Sequence, residues 1–335
     1  MASGFSPWGL RATAAAVIGC LLLPATEQRL DQPAGELPAW RPLAAAALAF
    51  AGFHAVAQAL APSTEWDCLA YHLAIPKLYL KAGGVVELPW LIHSHWPHLM
   101  ETLYALPLGL GIEPAAALLH AACAAAFVWT AWLMGREHAG EPTAWLAAAI
   151  LAAQTRLLDV VGVAHADAGF ALLYALSTLC LWRWSEGGPR GALALAGLLA
   201  GAAASCKLHG IVPVVFWAAW LAVRRGWKAA AFFSACAAVV VAPWLLRSWL
   251  AAGNPIWPFF SDWFGGRFGA AAIEASGIAH SRWNLPILVY VVLHHGGLLL
   301  LGPLACAWAL TREQRLPRAF AFWLLPAPLY FAAVF

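Results

Sequence analysis

Residues 43–61 read LAAAALAFAGFHAVAQALA, an unbroken run without a charged side chain. A helix needs about 20 apolar residues to cross the hydrocarbon layer of a bilayer, and this run meets that length. The whole chain has the same character, because 63% of its 335 residues are hydrophobic and only 10% are charged. A soluble domain carries roughly 25% charged residues, so the composition excludes a soluble globule. We therefore expect an all-α, polytopic bundle of transmembrane helices.

Other apolar runs predict the remaining membrane spans, at 114–134, 142–157, 168–182, 192–204, 208–223, 229–249, 285–310 and 319–335. The shorter run 12–25 is either a signal-like segment or a first span. No clear small-residue cleavage site follows it, which favours a span. The sequence thus predicts one membrane domain over 1–335 with nine or ten spans. Residues 329–335 are still apolar, so whether the chain is complete at Phe335 is left open.

The positive charges predict the orientation of these spans. If 62–113 lies outside, the inner connections carry eleven Lys and Arg in about 45 residues, whereas the outer ones carry seven over more than twice that length. This asymmetry places 62–113 and 250–284 at the exterior or periplasmic face of a bacterial inner membrane. The net charge of +3 gives no reason to expect a nucleic-acid partner. Any chemistry therefore belongs to the two outer segments.

The first outer segment opens with a pattern of polar residues, STEWDCLAYHL at 63–73. Asp67 follows the first span, and Tyr71 comes four residues later, on the same face if the segment is helical. Further along the segment come other polar candidates, His72, Lys77, His93 and Glu101. The helices predicted inside 62–113 are too short or too polar to cross, so we expect them to lie at the interface.

This pattern resembles the membrane glycosyltransferases of the GT-C superfamily, most closely the bacterial relatives of protein mannosyltransferases and lipid A aminoarabinose transferases. In those families a first span leads into a long outer loop. The loop opens with an Asp, has a Tyr four positions later, and then a Gly that ends an amphipathic helix. Asp67, Tyr71 and Gly83 match this spacing. The acidic residue that usually follows the Asp is replaced by Cys68, and Glu65 is a substitute on the other side.

Three later segments resemble the same superfamily in the same order. DVVGVAHADAGF at 159–170 is similar to a second outer acidic turn, in which Asp167 opens a span. GAAASCKLHG at 201–210 is similar to a short outer turn that carries a lysine between two brief helices. PWLLRSWLAAGNPIWPF at 243–259 is similar to a P-W-x-x-R-N-W…G-N-P passage, with Ser248 in place of the usual Asn. The resemblance covers about 60–259.

The resemblance implies transfer of a sugar from a polyprenyl-phosphate donor to a protein, lipid or glycan acceptor, with inversion. Asp67 would be the acceptor-side carboxylate and Asp167 a second catalytic carboxylate, although each also suits the start of a helix. The substrate-binding candidates are Tyr71, His72, Lys77, His93, Glu101, His165, Lys207 and Arg247. Lys207 and Arg247 are cations beside apolar runs, suited to a lipid phosphate.

The cofactor and the function class keep alternatives at this stage. His93, His95 and His98 suggest a divalent metal site, as some GT-C relatives use, but Trp96-Pro97 interrupts them and the metal stays unknown. A permease or a non-catalytic membrane scaffold is the alternative to an enzyme. The long outer segments and the lack of an inverted repeat favour the enzyme. Expected partners are the lipid-linked donor, membrane lipids and an acceptor of unknown identity.

Overall fold

The structure, a computed structural model, describes residues 37–264, which divide into two compact units. Within the described residues, unit 1 comprises 37–94 and 98–172, and unit 2 comprises 95–97 and 173–264. Their regular elements are all helices, with no strand in this part of the chain, so the all-α prediction is confirmed. The predicted spans at 12–25, 285–310 and 319–335, and residues 265–284 of the second outer segment, lie outside the described residues.

The helices follow one another as α1 (Arg41–Leu60), α2 (Ala74–Ala82), α3 (Leu99–Gly109), α4 (Pro114–Ala139), α5 (Glu141–Ala152), α6 (Thr155–Val160), α7 (Asp167–Ser185), α8 (Arg190–Cys206), α9 (Ile211–Arg224), α10 (Trp227–Ala252) and α11 (Ser261–Phe264). A π-helix lies at Cys68–His72, and 3-10 helices lie at Ile92–His95 and Leu208–Gly210. Helices α1 to α6 belong to unit 1 and α8 to α11 to unit 2, while α7 begins in the first and continues in the second.

Three helices among the described residues are long and apolar enough to cross a membrane, namely α1, residues 114–137 of α4, and α10. The 20 residues of α1 rise about 30 Å at 1.5 Å each, which matches the hydrocarbon thickness of a bilayer. Large apolar side chains such as Phe53 and Val239 point outward with more than two thirds of their surface exposed. Apolar side chains on the outside of long helices are what a lipid environment requires.

The prediction of one span over 142–157 is wrong, because α5 ends at Ala152 and α6 begins only at Thr155. The side-chain amide of Gln154 donates to the Ile150 carbonyl at 3.3 Å. In a continuous helix that carbonyl would accept the backbone N–H of residue 154. The side chain thus substitutes for the backbone donor, and the chain leaves the helix in an extended conformation at Gln154.

Polar side chains of α1 hold α6 and the turn after it. His54 Nε2 lies 3.0 Å from the Leu158 carbonyl, and the Gln58 amide donates to the Asp159 carbonyl at 2.8 Å. Gln58 Oε1 also accepts the Gly162 N–H at 2.7 Å. A Cβ on Gly162 would lie 2.5 Å from the Ala55 carbonyl oxygen, so only glycine permits this close approach. The turn that leads to His165 and Asp167 is therefore fixed against α1.

In unit 2, α8 packs against α10 through glycines spaced four apart. A Cβ on Gly197 would lie 2.5 Å from the Phe233 carbonyl oxygen, and one on Gly201 would overlap the Ala237 carbonyl. Small residues at this spacing let helix backbones approach closely in a membrane. Trp217 of α9 and Phe233 of α10 fill the core beside them and are fully buried. The alanine- and glycine-rich runs of the sequence therefore serve helix packing.

Candidate active site

The site in unit 1 begins with the turn that carries Asp67 and Tyr71. Glu65 Oε2 accepts the Cys68 N–H at 2.8 Å and so caps the start of the helical segment. The segment continues as a π-helix, in which the Leu73 N–H bonds to the Cys68 carbonyl five residues earlier. Single π-helical turns are often found at functional sites. The Tyr71 hydroxyl hydrogen-bonds the Asp67 carboxylate, which confirms that the two residues share a face.

The ring of Tyr71 lies against two histidines. It stacks on His93 with ring centroids 4.3 Å apart and planes within 3°, and it lies 4.2 Å from the ring of His72. Burial, together with the nearby Asp67 carboxylate, raises the pKa of Tyr71, so the phenol stays protonated and donates to Asp67. Burial lowers the pKa of His93, which favours its neutral form. Asp67 is thus flanked by a neutral donor and a neutral ring.

His72 and Glu101 form a buried pair 29 residues apart in sequence. His72 Nδ1 lies 2.5 Å from Glu101 Oε1, and both side chains are less than 5% exposed. Burial alone would raise the pKa of Glu101, but the hydrogen bond and charge of His72 hold it below its ordinary value. The pair fixes the His72 ring, since Nδ1 is bound to the carboxylate. Within residues 37–264, His72 Nε2 has no hydrogen-bond partner.

His165 lies between two carboxylates. Its Nε2 is 2.7 Å from Glu65 Oε2, and its Nδ1 is 3.4 Å from Asp167 Oδ2. Burial lowers the pKa of His165, but its bonds to the two carboxylates outweigh that effect and raise it. The same contact works in the other direction on Glu65, where burial is outweighed and the pKa is lowered. The two carboxylates therefore favour the protonated form of His165, and the Tyr104 hydroxyl fixes its backbone by donating to its carbonyl.

These contacts join into one group, because the ring of His165 lies 4.8 Å from that of His72. We call the group the polar cluster; its members are Glu65, Asp67, Tyr71, His72, His93, Glu101, His165 and Asp167. Seven of the eight are site residues predicted from the sequence, and Glu65 was anticipated only as a substitute acidic residue. All of them belong to unit 1.

Two further residues support the polar cluster, and no sequence motif pointed to either of them. His120 of α4 accepts the Ala168 N–H on Nε2 at 3.0 Å and reaches the Val161 carbonyl with Nδ1 at 3.3 Å. It therefore caps the start of α7 beside Asp167, with its ring 6.3 Å from that of His165. Tyr104 is the other, and it is fully buried. An isolated His or Tyr within an apolar run does not reveal such a contact until the fold is known.

The suggested trio of metal-binding histidines does not form a ligand set. His98 Nε2 bonds to the His93 carbonyl at 2.9 Å, and the Tyr79 hydroxyl lies 3.1 Å from its Nδ1. Both ring nitrogens of His98 are thereby engaged in the fold. Across residues 37–264, no group of three or more His, Cys, Asp or Glu side chains is arranged to hold a metal ion.

The predicted cations have other settings. Lys77 Nζ lies 2.6 Å from Glu113 Oε2 at a half-exposed position, so its charge is paired away from the polar cluster. In unit 2, Lys207 is half-buried and extended, between the end of α8 and the 3-10 helix that follows. The Gly210 N–H bonds to the Lys207 carbonyl at 2.8 Å and closes this turn. The predicted lysine turn between two brief helices is therefore present.

Arg247 lies on α10, half-buried, about one turn before the helix ends at a left-handed Gly253. The neighbouring Ser248 hydroxyl donates to the Asn254 carbonyl at 2.8 Å. The Asn254 side chain in turn accepts the Ile256 N–H and donates to the Phe259 carbonyl. Ser248 and Asn254 therefore order the G-N-P passage that follows Arg247.

A model of glycosyltransferase family 87 matches residues 99–333, which is more than half of the chain. The chain belongs to this family. Family 87 is a membrane family of the GT-C type, so the superfamily resemblance is confirmed, and the protein is a membrane glycosyltransferase. Glu101, His165 and Asp167 lie inside the matched residues, and Asp67 precedes them. No curated protein and no solved structure matches the chain.

Proposed function

We propose that this family 87 glycosyltransferase moves a sugar from a polyprenyl-phosphate donor to an acceptor hydroxyl at the outer face of the bacterial inner membrane. The observation that carries the proposal is the polar cluster, which gathers two predicted catalytic carboxylates, Asp67 and Asp167, with histidines and a tyrosine. The distribution of Lys and Arg supports a multi-pass chain with 62–113 and 250–284 outside. A lipid-linked donor needs no nucleotide-binding domain, and no such fold is present in residues 37–264.

Asp67 acts as the general base in this proposal. The acceptor hydroxyl binds to its carboxylate and gives up its proton as the oxygen attacks the anomeric carbon of the donor sugar. The bond between that carbon and the phosphate oxygen breaks, and the polyprenyl phosphate leaves with the electron pair. One displacement inverts the anomeric configuration. In this proposal the hydrogen bond from Tyr71 helps to orient the Asp67 carboxylate towards the acceptor.

The rest of the polar cluster suits the binding of a sugar. Asp167, next to His165, presents a second carboxylate that accepts hydrogen bonds from sugar hydroxyls. His72 offers Nε2 while Glu101 holds its other nitrogen. His93 stacks one face of its ring on Tyr71, which holds the ring in place beside the proposed sugar site. Fixed donors and acceptors of this kind bind without reorganising during the reaction.

Lys207 and Arg247 are the proposed contacts to the donor phosphate. Lys207 lies in the turn after α8 and Arg247 near the end of α10, and a cation beside apolar residues suits an anionic ligand at a membrane surface. Charge-assisted hydrogen bonds to phosphate are among the stronger polar interactions in proteins. Their proposed role is to stabilise the charge that grows on the leaving phosphate.

A permease and a membrane scaffold are disfavoured on separate grounds. Membership of a glycosyltransferase family supports an enzyme over both. A scaffold would also have no need to bury the His72–Glu101 pair next to a second histidine held between carboxylates. Burying ionised groups costs free energy that only good pairing or function offsets.

Mass spectrometry of cell-envelope glycans from cells with and without the protein identifies the sugar and the acceptor.

Transfer by the purified full chain in nanodiscs, from a polyprenyl-phosphate sugar, tests the assignment of Asp67. Asp67→Asn keeps size and capping ability but removes the charge, so activity should fall by about 10²–10⁴-fold. Asp159→Asn is the matched control, because Asp159 is an exposed carboxylate of the same unit, and it should retain activity. Lys207→Ala should weaken the apparent affinity for the donor by roughly 10-fold or more. Near-normal transfer by Asp67→Asn would refute the catalytic role.

A further inference from the structure

An apolar cavity lies between α1, α4 and α5 of unit 1, with a volume of about 420 Å³. All of its lining residues are apolar, and among them are Gly52 of α1, Ala125 of α4 and Val161 after α6. A Cβ placed on Gly52 would meet no atom within 4 Å, which shows that this part of the helix faces open space. Two of the bordering helices are long and apolar enough to cross a membrane. The cavity is therefore bounded by the parts of unit 1 that suit hydrocarbon.

The longest wall of the cavity, on α4, is about as long as one leaflet of a bilayer is thick. This wall runs from Ala121 to Trp132, which at 1.5 Å per residue is about 16 Å. The hydrocarbon core of a bilayer is about 30 Å thick, so half of it is about 15 Å. A single hydrocarbon chain is long, narrow and flexible, and it needs no hydrogen-bond partner from the wall. This shape and this lining suit a lipid chain.

At one end of the cavity, two arginines make cation–π contacts with two of the tryptophans that line it. The guanidinium of Arg41 lies 4.9 Å from the ring centre of Trp145, and that of Arg136 lies 5.2 Å from the ring of Trp132. Arg136 also pairs with Glu141 through Nε at 3.1 Å. The Arg41 guanidinium has no ion-pair partner in the part of the chain that the structure describes.

The position of Arg41 indicates an external anion. It is the first residue of α1, where the helix dipole disfavours a cation and favours an anion. The first backbone N–H groups of α1 already bond to backbone carbonyls, the Arg41 N–H to Pro38 and the Leu43 N–H to Trp40, so the guanidinium is the group that is left for an anion. The Arg41 guanidinium and the apolar cavity thus provide the two parts of a phospholipid site, one for the phosphate and one for a chain.

We propose that a membrane glycerophospholipid binds here, with its phosphate on Arg41 and one acyl chain in the cavity between α1, α4 and α5. This lipid is neither donor nor acceptor. Asp67 follows the other end of α1, and the 20 residues of that helix separate Arg41 from it by about 30 Å. A phosphate on Arg41 is therefore too far away to be the reacting one. The lipid would fill the space that the small residues of α1 and α4 leave between the helices.

Native mass spectrometry of the purified full chain tests the site with two added probes, phosphatidylglycerol and a diacylglycerol with the same acyl chains. The wild-type protein should retain phosphatidylglycerol in preference to diacylglycerol. Gly52→Leu should abolish most of this retention, because the new side chain enters the cavity. Gly191→Leu is the matched control, since Gly191 is a helical glycine of α8 that also faces open space but does not line the cavity. It should bind lipid as the wild type does.

The phosphate contact has its own variant. Arg41→Gln, at an exposed position, should lower the preference for phosphatidylglycerol over diacylglycerol about fivefold, as expected for one arginine at a lipid surface. Because this change leaves the core untouched, it decides the outcome even where Gly52→Leu lowers the yield of folded protein. Equal retention by Arg41→Gln and the wild type would overturn the phosphate assignment. Equal retention by Gly52→Leu would show that the bound lipid is not in the cavity.

Discussion

Unit 1 contains two regions whose side chains are held in place by different interactions, the polar cluster and the lining of the apolar cavity. In the polar cluster, directional bonds between named atoms fix each ring, as in the 2.5 Å contact from His72 to Glu101. Around the cavity, alanines and Gly52 specify only a shape. A buried, hydrogen-bonded side chain tolerates almost no change of its polar groups. A residue that lines an apolar cavity tolerates any apolar substitution that fits the available volume. Substitutions should therefore have unequal effects in the two regions.

The largest effect on stability should come from the buried pair. Glu101→Leu leaves His72 without its carboxylate, and removing one member of a buried ion pair costs about 3–5 kcal/mol. The free energy of unfolding in detergent measures this loss. Glu113→Leu is the control, because Glu113 is paired with Lys77 at a half-exposed position and should cost no more than about 1 kcal/mol. Equal losses in the two variants would mean that burial of the pair contributes nothing.

Two glycines provide the next test of the contrast. Gly162→Ala should destabilise the protein by about 1–3 kcal/mol, since its Cβ would lie 2.5 Å from the Ala55 carbonyl oxygen. Gly52→Ala should be neutral or stabilising by at most about 1 kcal/mol, because it enters open space and alanine favours the helix. Thermal unfolding of both variants measures the difference. The opposite order would show that the cavity is not open at Gly52.

The ion pairs of His165 should make stability depend on pH. Because its pKa is raised in the folded state, its stabilising charge is fully present below its ordinary value, about 6.5, and is lost as the pH rises through the higher folded value. Its neighbours are Glu65, Asp167 and the rings of His72 and His120. The wild type should therefore melt higher than His165→Gln at about pH 6, with the gap shrinking towards about pH 9. A gap that grows with pH would reverse the assignment.

The smallest effect should come from Lys77. Its sequence position suggested substrate binding, but its ammonium is paired with Glu113 in a half-exposed setting. Lys77→Ala should change the free energy of unfolding by no more than about 1 kcal/mol and leave the apparent affinity for the donor close to that of the wild type. Transfer kinetics with the lipid-linked donor provide the measurement. If the variant instead bound the donor about tenfold more weakly, Lys77 would return to the substrate site.

The sequence predicted those features that depend on neighbouring residues. The apolar run 43–61 became α1, and the spacing of Asp67 and Tyr71 became a direct contact, because both are set within one or two turns. The break at Gln154 was missed, since it depends on one side chain replacing a backbone donor. Hydropathy averages over a window and does not register such an exchange.

Contacts between residues far apart in the chain could not be predicted from the sequence. Glu65 and His165 are 100 residues apart, and nothing in either segment specifies the other. The sequence predicts His165 as a site residue because it lies beside Asp167, and Glu65 as a substitute for the missing acidic residue after Asp67. Which carboxylate His165 would meet depends on how α1 and the turn at Gly162 pack. Pairing of this kind follows from tertiary structure, and a single sequence does not carry it.

The π-helix at Cys68–His72 changes how many positions of the motif can act. In an α-helix, a residue four places after Asp67 shares its face and the next one turns away. Here the wider turn brings two consecutive residues, Tyr71 and His72, to the same side, one against Asp67 and the other against Glu101. Deleting a single residue between Asp67 and Tyr71 would leave the hydropathy profile intact and yet dismantle both contacts. The number of residues in this segment therefore matters for function as much as their identities do.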